Sequence, residues 1–252
     1  MILAWPRAGW RLLRVLLHLL WGMAIMAARF GRCGEAERHR HIQRWSAGLL
    51  RAMGLTLTVS GRPRPGATLL IANHVSWLDI AALHAAVPQA RFVSKADVRQ
   101  WPLVGWLVAG AGTLFIARES KRDALRVVHA MAEALRAGQT VAVFPEGTTG
   151  AGPEPLPFHA NLLQAAIATA TPVQPAVLRF HAPGQRFARA VEFVGETTLL
   201  QSLWRVATAR GLGVSVQLLP AEATAHADRR ALAQHLRQQL AAALDRSGDA
   251  AA

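Results

Sequence analysis

The residues best suited to chemistry stand together at 73–79, Asn-His-Val-Ser-Trp-Leu-Asp, where an apolar run ends. An imidazole beside a carboxylate can serve as a general base, the carboxylate fixing its tautomer and steadying the imidazolium that forms. His74 and Asp79 are five positions apart, and on one continuous helix, at roughly 100° per residue, they would point about 140° away from each other. They meet only if His74 occupies a strand-to-helix turn and Asp79 the first turn of the helix. Ser76, with Asp79 three residues later, supplies an N-cap that allows this. The same two residues also make an ordinary capping box with His74 as a plain turn residue, so the pair alone leaves both readings open.

Three later blocks carry polar groups at the ends of apolar runs. Gly112-Thr-Leu-Phe-Ile-Ala-Arg118 delivers one guanidinium where α/β folds place ligand contacts. Phe144-Pro-Glu146-Gly147-Thr148 closes a strand with a tight turn, a carboxylate, a hydroxyl and a glycine that lets backbone N–H groups approach a ligand. Thr171-Pro-Val-Gln-Pro-Ala-Val177 opens a further strand. No good nucleophile accompanies them: there is no G-x-S-x-G elbow, and the one cysteine, Cys33, lies in an Arg-rich segment. A single cysteine also excludes a disulfide scaffold and any Cys-based cluster within one chain. His39 and His41 read as part of a solvated helix face and His159 as a turn residue, with no metal-ligand spacing among them. No metal and no cofactor is expected.

The elements that must position these groups follow from strand–helix alternation. Strands are predicted at Thr68–Ala72, Arg91–Val93, Thr113–Ala117, Thr140–Phe144, Val173–Arg179, Ala190–Val194 and Gly213–Leu218, with helices near Trp77–Ala86, Lys121–Ala137, Pro157–Thr169, Thr198–Ala209 and Asp228–Leu244. The fold class is α/β, a mixed, largely parallel central sheet flanked by helices. Residues 55–246 form this domain, after an anchor at 1–54 and before an Ala-rich tail at 247–252. The uncharged stretch from Gln100 to Ala117 is broken by Pro102 and three glycines and reads as a buried helix plus strand. Trp101, Leu103, Trp106 and Leu107 in it would line an apolar groove or simply fill the core.

The anchor follows from where the charge sits. The 252 residues carry a net +13 at a mean hydropathy of +0.21, too apolar for a disordered chain. Nine Arg against two Glu put +7 of that charge in the first 51 residues. Four Trp (Trp5, Trp10, Trp21 and Trp45) and an uncharged run from Val15 to Ala28 share the segment. As a helix that run would be about 21 Å long, against roughly 30 Å of hydrocarbon. That is too short to span comfortably. The three readings are a signal peptide, though no A-x-A ends it, a tilted span with Arg11 and Arg14 snorkelling, and an interfacial anchor. The interfacial one suits the Arg and Trp best. With a second basic amphipathic helix from about Glu35 to Met53, the segment forms a membrane-associated two-helix hairpin. A nucleic-acid binder would use the charge too, but no helix-turn-helix, OB-type or RNP-like pattern is present. A non-catalytic membrane-surface binding protein is the alternative of another class.

In their order, these blocks resemble the 1-acylglycerol-3-phosphate acyltransferase (lysophospholipid acyltransferase) family. They match its N-H-x-S-x-x-D, G-x-x-F-I-x-R, F-P-E-G-T and P-V-x-P motifs between about residues 68 and 180. The resemblance implies an acyl chain moved from acyl-CoA or acyl carrier protein to a lysolipid hydroxyl, with 1-acylglycerol-3-phosphate as acceptor and phosphatidate as product. It implies His74 as base, Asp79 as its partner, and Arg118, Glu146, Gly147 and Thr148 as the acceptor's phosphate site, with Lys95 a further phosphate contact. It also implies a place on the cytoplasmic face of a bacterial inner membrane, monotopic or with one N-terminal span, facing an anionic bilayer. One position departs from the family: F-P-E-G-T usually continues with Arg, and here Thr149 follows. That makes another acceptor, such as lyso-ornithine lipid, a live alternative.

Overall fold

A computed structural model describes residues 4–95, 98, 100, 104–116 and 121–246. Its strands are β1 (Thr56–Ser60), β2 (Thr68–Ala72), β3 (Arg91–Lys95), β4 (Leu114–Ile116), β5 (Thr140–Val143), β6 (Val173–His181) and β7 (Gly213–Leu218). They form one sheet in the order β1-β7-β6-β2-β5-β3-β4. Neighbours are parallel except β6 and β7, which run antiparallel. The helices are α1 (Ala4–Arg29), α2 (Glu35–Met53), α3 (Leu78–Ala86), α4 (Val104–Gly110), α5 (Lys121–Arg136), α6 (Gln164–Ala168), α7 (Leu199–Thr208) and α8 (Arg229–Arg246). The α/β class with a mixed, largely parallel sheet is what the alternation predicts.

Both faces of the sheet are covered. Leu70 and Ala72 of β2 enter one layer with Leu50 and Met53 of α2 and Leu78 and Leu83 of α3. Leu69 and Ile71 enter the other with Met131 and Leu135 of α5 and Leu236 and Leu240 of α8. A strand buried on both sides needs apolar residues at every position, so β2 and β5 read as unbroken apolar runs. The hairpin shares this core: Leu49, Leu50 and Met53 are buried with residues of β6 and β7, so position 54 marks a turn and not a break in packing.

Three sequence expectations change. The strand β1 is absent from the apolar pattern because it lies at a sheet edge with four of its five residues exposed. The expected strand Ala190–Val194 is a short 3-10 turn at Arg189–Val191 followed by extended chain outside the sheet. Val191 makes the run apolar by packing against the α3 and α7 layer. The expected helix Pro157–Thr169 begins only at Ala160, as a 3-10 turn leading into α6. His159 is extended there, its N–H bonded to the Pro145 carbonyl.

Helix α1 has 26 residues, about 39 Å at 1.5 Å per residue. By length and composition it could cross a membrane, and only 11% of its most apolar window is buried. It is longer than the uncharged run suggests, and it is fastened along its length. Near its start, Arg7 donates to the Thr208 carbonyl (2.6 Å) and Arg11 to those of Ala207 (3.0 Å) and Ala209 (2.6 Å). The Trp5 ring meets Trp204 of α7 edge-on. Midway, His18 Nε2 bonds the Trp45 carbonyl (2.8 Å) and Trp45 Nε1 donates back to the His18 carbonyl (3.2 Å). Gly48 lies under the His18 ring and Gly22 under the Trp45 ring, where any Cβ would collide. At its far end Met26 fills the space beside Gly110 of α4. Trp10, Leu13, Leu16, Leu17, Leu20 and Trp21 remain exposed.

Candidate active site

The candidate site lies at the carboxyl ends of two adjacent parallel strands, β2 and β5. From β2 the chain passes to α3 on one face of the sheet, and from β5 it passes to α6 on the other. Chains departing to opposite faces leave a crevice between them, the place where open α/β sheets bind ligands.

Asn73 ends β2. Its side chain copies a backbone strand pair, Nδ2 donating to the Leu178 carbonyl and Oδ1 accepting the Leu178 N–H, both at 2.8 Å. The side chain thus continues the β2–β6 ladder while the main chain turns out of it. His74 enters the turn held at both backbone groups: its N–H donates to Glu146 Oε1 (2.8 Å) and its carbonyl accepts from the Gly150 N–H (2.7 Å). The Val75 carbonyl accepts from the Phe193 N–H.

Asp79, fully buried, sits in the first turn of α3, as the geometry of a five-residue spacing requires. One oxygen, Oδ2, accepts from His74 Nδ1 (2.7 Å), Val75 N–H (2.7 Å) and Ser76 N–H (2.9 Å). The expected capping box is half formed: Asp79 takes the Ser76 N–H, but the Ser76 hydroxyl accepts the Leu78 N–H at 3.4 Å. With Asp79 accepting at Nδ1, the free lone pair is on Nε2. The imidazole, 19% exposed, stacks flat on Phe144, centroids 4.0 Å apart at 10°. Phe92 stacks behind Phe144, and the buried His84 meets Phe92 edge-on. The Phe144 ring therefore limits the rotation of His74 about its own side-chain bonds, a role that the motif alone does not reveal.

Glu146, Gly147 and Thr148 follow at the end of β5. Glu146 is buried and divides its oxygens between two backbone N–H groups, His74 at Oε1 and Leu156 at Oε2 (2.8 Å). Burial pushes its carboxyl up, with the Leu156 and His74 N–H groups pulling the other way. Oε1 thus holds the His74 turn, and Oε2 holds the loop at Leu156. Gly147 has φ +73 and the His159 ring at the place of its missing Cβ, 2.9 Å away; Gly147 and Thr148 are exposed. His159 is the turn residue that the sequence predicts, but no spacing rule connects it to Gly147.

Thr149 is half-buried and turns its hydroxyl inward to donate to the Phe193 carbonyl, so this position brings no cation to the crevice. Arg118 lies outside the described residues. Lys95 ends β3, opposite Ile116 of β4, and its side chain lies outside them too. Of the groove candidates, Trp101 and Leu103 lie outside the described residues, Leu107 is buried and Trp106 is exposed.

One cluster could hold a metal: donor atoms of Cys33, Glu37 and His41 lie within 4.8 Å of one another. His41 is thus less solvated than its sequence neighbours suggest, with Nε2 buried and without a hydrogen bond. Burial and the Glu37 carboxylate push the Cys33 thiol up, opposite to the thiolate that metals bind.

Comparison with known proteins agrees with the motif reading. An acyltransferase family model matches residues 56–179. Lyso-ornithine lipid O-acyltransferase of Pseudomonas aeruginosa is 39% identical over 207 residues, covering 82% of this chain and 79% of the relative. The 1-acyl-sn-glycerol-3-phosphate acyltransferase of Neisseria meningitidis serogroup B is 36% identical over 226 residues, covering 88% and 87%. Among solved structures, the 1-acyl-sn-glycerophosphate acyltransferase PlsC of Thermotoga maritima shares the fold at TM-score 0.65 and 18% identity, covering 94% of this chain and 97% of that one. With such identity across more than four-fifths of its length, the chain belongs to the lysophospholipid acyltransferase family.

Proposed function

We propose that the protein transfers a fatty acyl chain from an acyl thioester to the free hydroxyl of a lysolipid, with His74 as general base. The observation that carries this reading is the 2.7 Å bond from His74 Nδ1 to the buried Asp79, in a crevice at the strand ends. The acceptor hydroxyl gives its proton to His74 Nε2 as its oxygen adds to the thioester carbonyl. Collapse of the adduct breaks the C–S bond, and the departing sulfur takes the proton from the imidazolium. Asp79 orients the ring and offsets its positive charge while it lasts. The donor is acyl-CoA or acyl carrier protein, and no cofactor takes part.

The acceptor is 1-acylglycerol-3-phosphate, with Gly147, Thr148, Arg118 and Lys95 around its phosphate. The inward turn of Thr149 favours a second reading, acylation of a lyso-ornithine lipid, whose headgroup carries a carboxylate and an ammonium in place of a phosphate. The enzyme works from the cytoplasmic face of a bacterial inner membrane, where acyl thioesters are found. It is monotopic in this reading: a helix tied to α7 at one end and to α4 at the other is not free to cross a bilayer.

One assay tests both readings. Thiol release from an acyl thioester is followed with lysophosphatidate, lyso-ornithine lipid and lysophosphatidylethanolamine as competing acceptors. Release with none of them overturns the proposal, and the preferred acceptor decides between the two readings.

A further inference from the structure

Helix α1 carries Arg7, Arg11 and Arg14 about one turn apart, and they are used differently. Arg7 and Arg11 are committed to the carbonyls at the end of α7. Arg14 is exposed and forms no hydrogen bond or ion pair with any described residue, and Arg44 and Arg51 of α2 are in the same state. These three guanidinium groups line one open groove between α1 and α2, about 650 Å³ in volume. His18 forms part of the floor, its Nε2 already bonded to Trp45. Leu17 and Trp21 form the remaining wall, each about half exposed. Among the described residues no carboxylate lines the groove; after Glu37, α2 contains no acidic residue.

We propose that this groove binds one anionic phospholipid of the bilayer as a resident, non-substrate ligand. Its phosphate lies among Arg14, Arg44 and Arg51, and an acyl chain runs along Leu17 and Trp21. Guanidinium groups suit a phosphate because their planar forks donate paired hydrogen bonds. The apolar wall selects the source of that phosphate. Leu17 and Trp21 continue into the exposed Leu13, Leu16 and Leu20 of α1, a strip that a hydrocarbon chain satisfies and a free anion leaves bare. An acidic protein helix would meet the three arginines but would have to cover the same strip, which faces the bilayer in the monotopic reading. The site does not depend on acyl transfer and lies apart from the His74 crevice in its residues.

The test uses the full chain purified in detergent, with retention of phosphatidylglycerol or phosphatidylcholine measured by native mass spectrometry. One phosphatidylglycerol is expected to remain bound where phosphatidylcholine does not. In the Arg14→Gln/Arg51→Gln variant its affinity falls roughly tenfold or more, since each cation near the surface contributes about 1 kcal/mol. Arg38→Gln/Arg40→Gln removes the same charge from another exposed part of α2 and should change affinity less than about twofold. Equal losses in the two variants mean diffuse surface attraction and overturn the site. So does displacement of the lipid by inorganic phosphate, or retention unchanged in Leu17→Ser/Trp21→Ser. Binding of an acidic carrier protein lost in Arg14→Gln/Arg51→Gln, with lipid retention intact, overturns it as well. The substituted arginines are exposed and unpartnered, and matching thermal melts establish that each variant is folded. Thiol release, measured alongside, separates failure here from failure of the acyl-transfer reading.

Discussion

The turn at 73–79 and the α1–α2 hairpin use polar groups in opposite ways. In the turn, Asn73, His74, Val75, Ser76 and Asp79 spend their hydrogen bonds on one another or on β6, Glu146, Gly150 and Phe193. In the hairpin, the interior is closed by paired contacts such as His18 with Trp45, while Arg14, Arg44 and Arg51 face outward. The first pattern fixes one imidazole and leaves a single nitrogen for chemistry. The second leaves charge available to something outside the chain. A buried hydrogen-bond partner is costly to remove and an exposed unpaired cation is not, so substitutions in the two regions should differ sharply in effect.

The strongest way to break this contrast is at His74. His74→Ala should lower thiol release by about 10²–10⁴-fold, the usual share of general acid–base catalysis, measured at a temperature where the variant remains folded. Activity close to wild type would leave the turn as a structural motif and place the general base elsewhere.

A second test is acid titration of the fold. Burial, and secondarily His39, lower the His84 imidazole from its ordinary 6.5 to about 4. A depressed histidine contributes stability that is complete above the unfolded value and lost as pH falls. Between pH 6.5 and about 4 the fold should lose about 3 kcal/mol through this group. Denaturant unfolding of wild type and His84→Leu across that window checks it, and parallel pH curves would refute it.

Glu146→Gln comes next. Gln keeps one acceptor but turns an NH2 group toward a backbone N–H, so stability should fall by about 1–3 kcal/mol. Activity should fall with it, because His74 loses its backbone tether. The carboxyl of Glu146 is raised from 4.5, so the folded state binds the proton more tightly than the unfolded state does. Its contribution therefore declines as pH rises from about 4.5 through the raised value. The stability gap between wild type and variant should narrow over that interval. A gap that widens contradicts the buried position of the carboxyl.

The smallest effect belongs to the hairpin. Arg44→Gln should change stability by less than about 0.5 kcal/mol and leave thiol release from a soluble short-chain acceptor unchanged. A loss comparable to that of Glu146→Gln would erase the contrast between the regions.

The parts of the site that were legible in the sequence are those that the backbone period dictates. A five-residue separation forces His74 into a turn if it is to meet Asp79, and the structure has that turn. The unbroken apolar runs of β2 and β5 mark strands covered on both faces. The role of Glu146 was illegible, because a carboxylate accepting two backbone N–H groups looks the same in sequence as one awaiting a ligand. Phe144 under His74 and His159 against Gly147 depend on how strands and loops come together, which local spacing does not record. The apolar residues 190–194 misled for a related reason: the chain there packs on a helical layer and lends Phe193 to the turn, without joining the sheet.

One helix joins the two regions. Ser202 of α7 accepts the indole N–H of Trp77, within the His74 turn (3.0 Å), and the last carbonyls of α7 receive Arg7 and Arg11 of α1. Through α7 the apolar helix α1 and the imidazole belong to one bracket. Any bilayer that takes up the apolar strip of α1 sets the altitude of His74 above it. On the proposed reading, acceptors would then be sorted by how far their hydroxyl stands from the membrane plane, a ruler that acts before any headgroup contact is made.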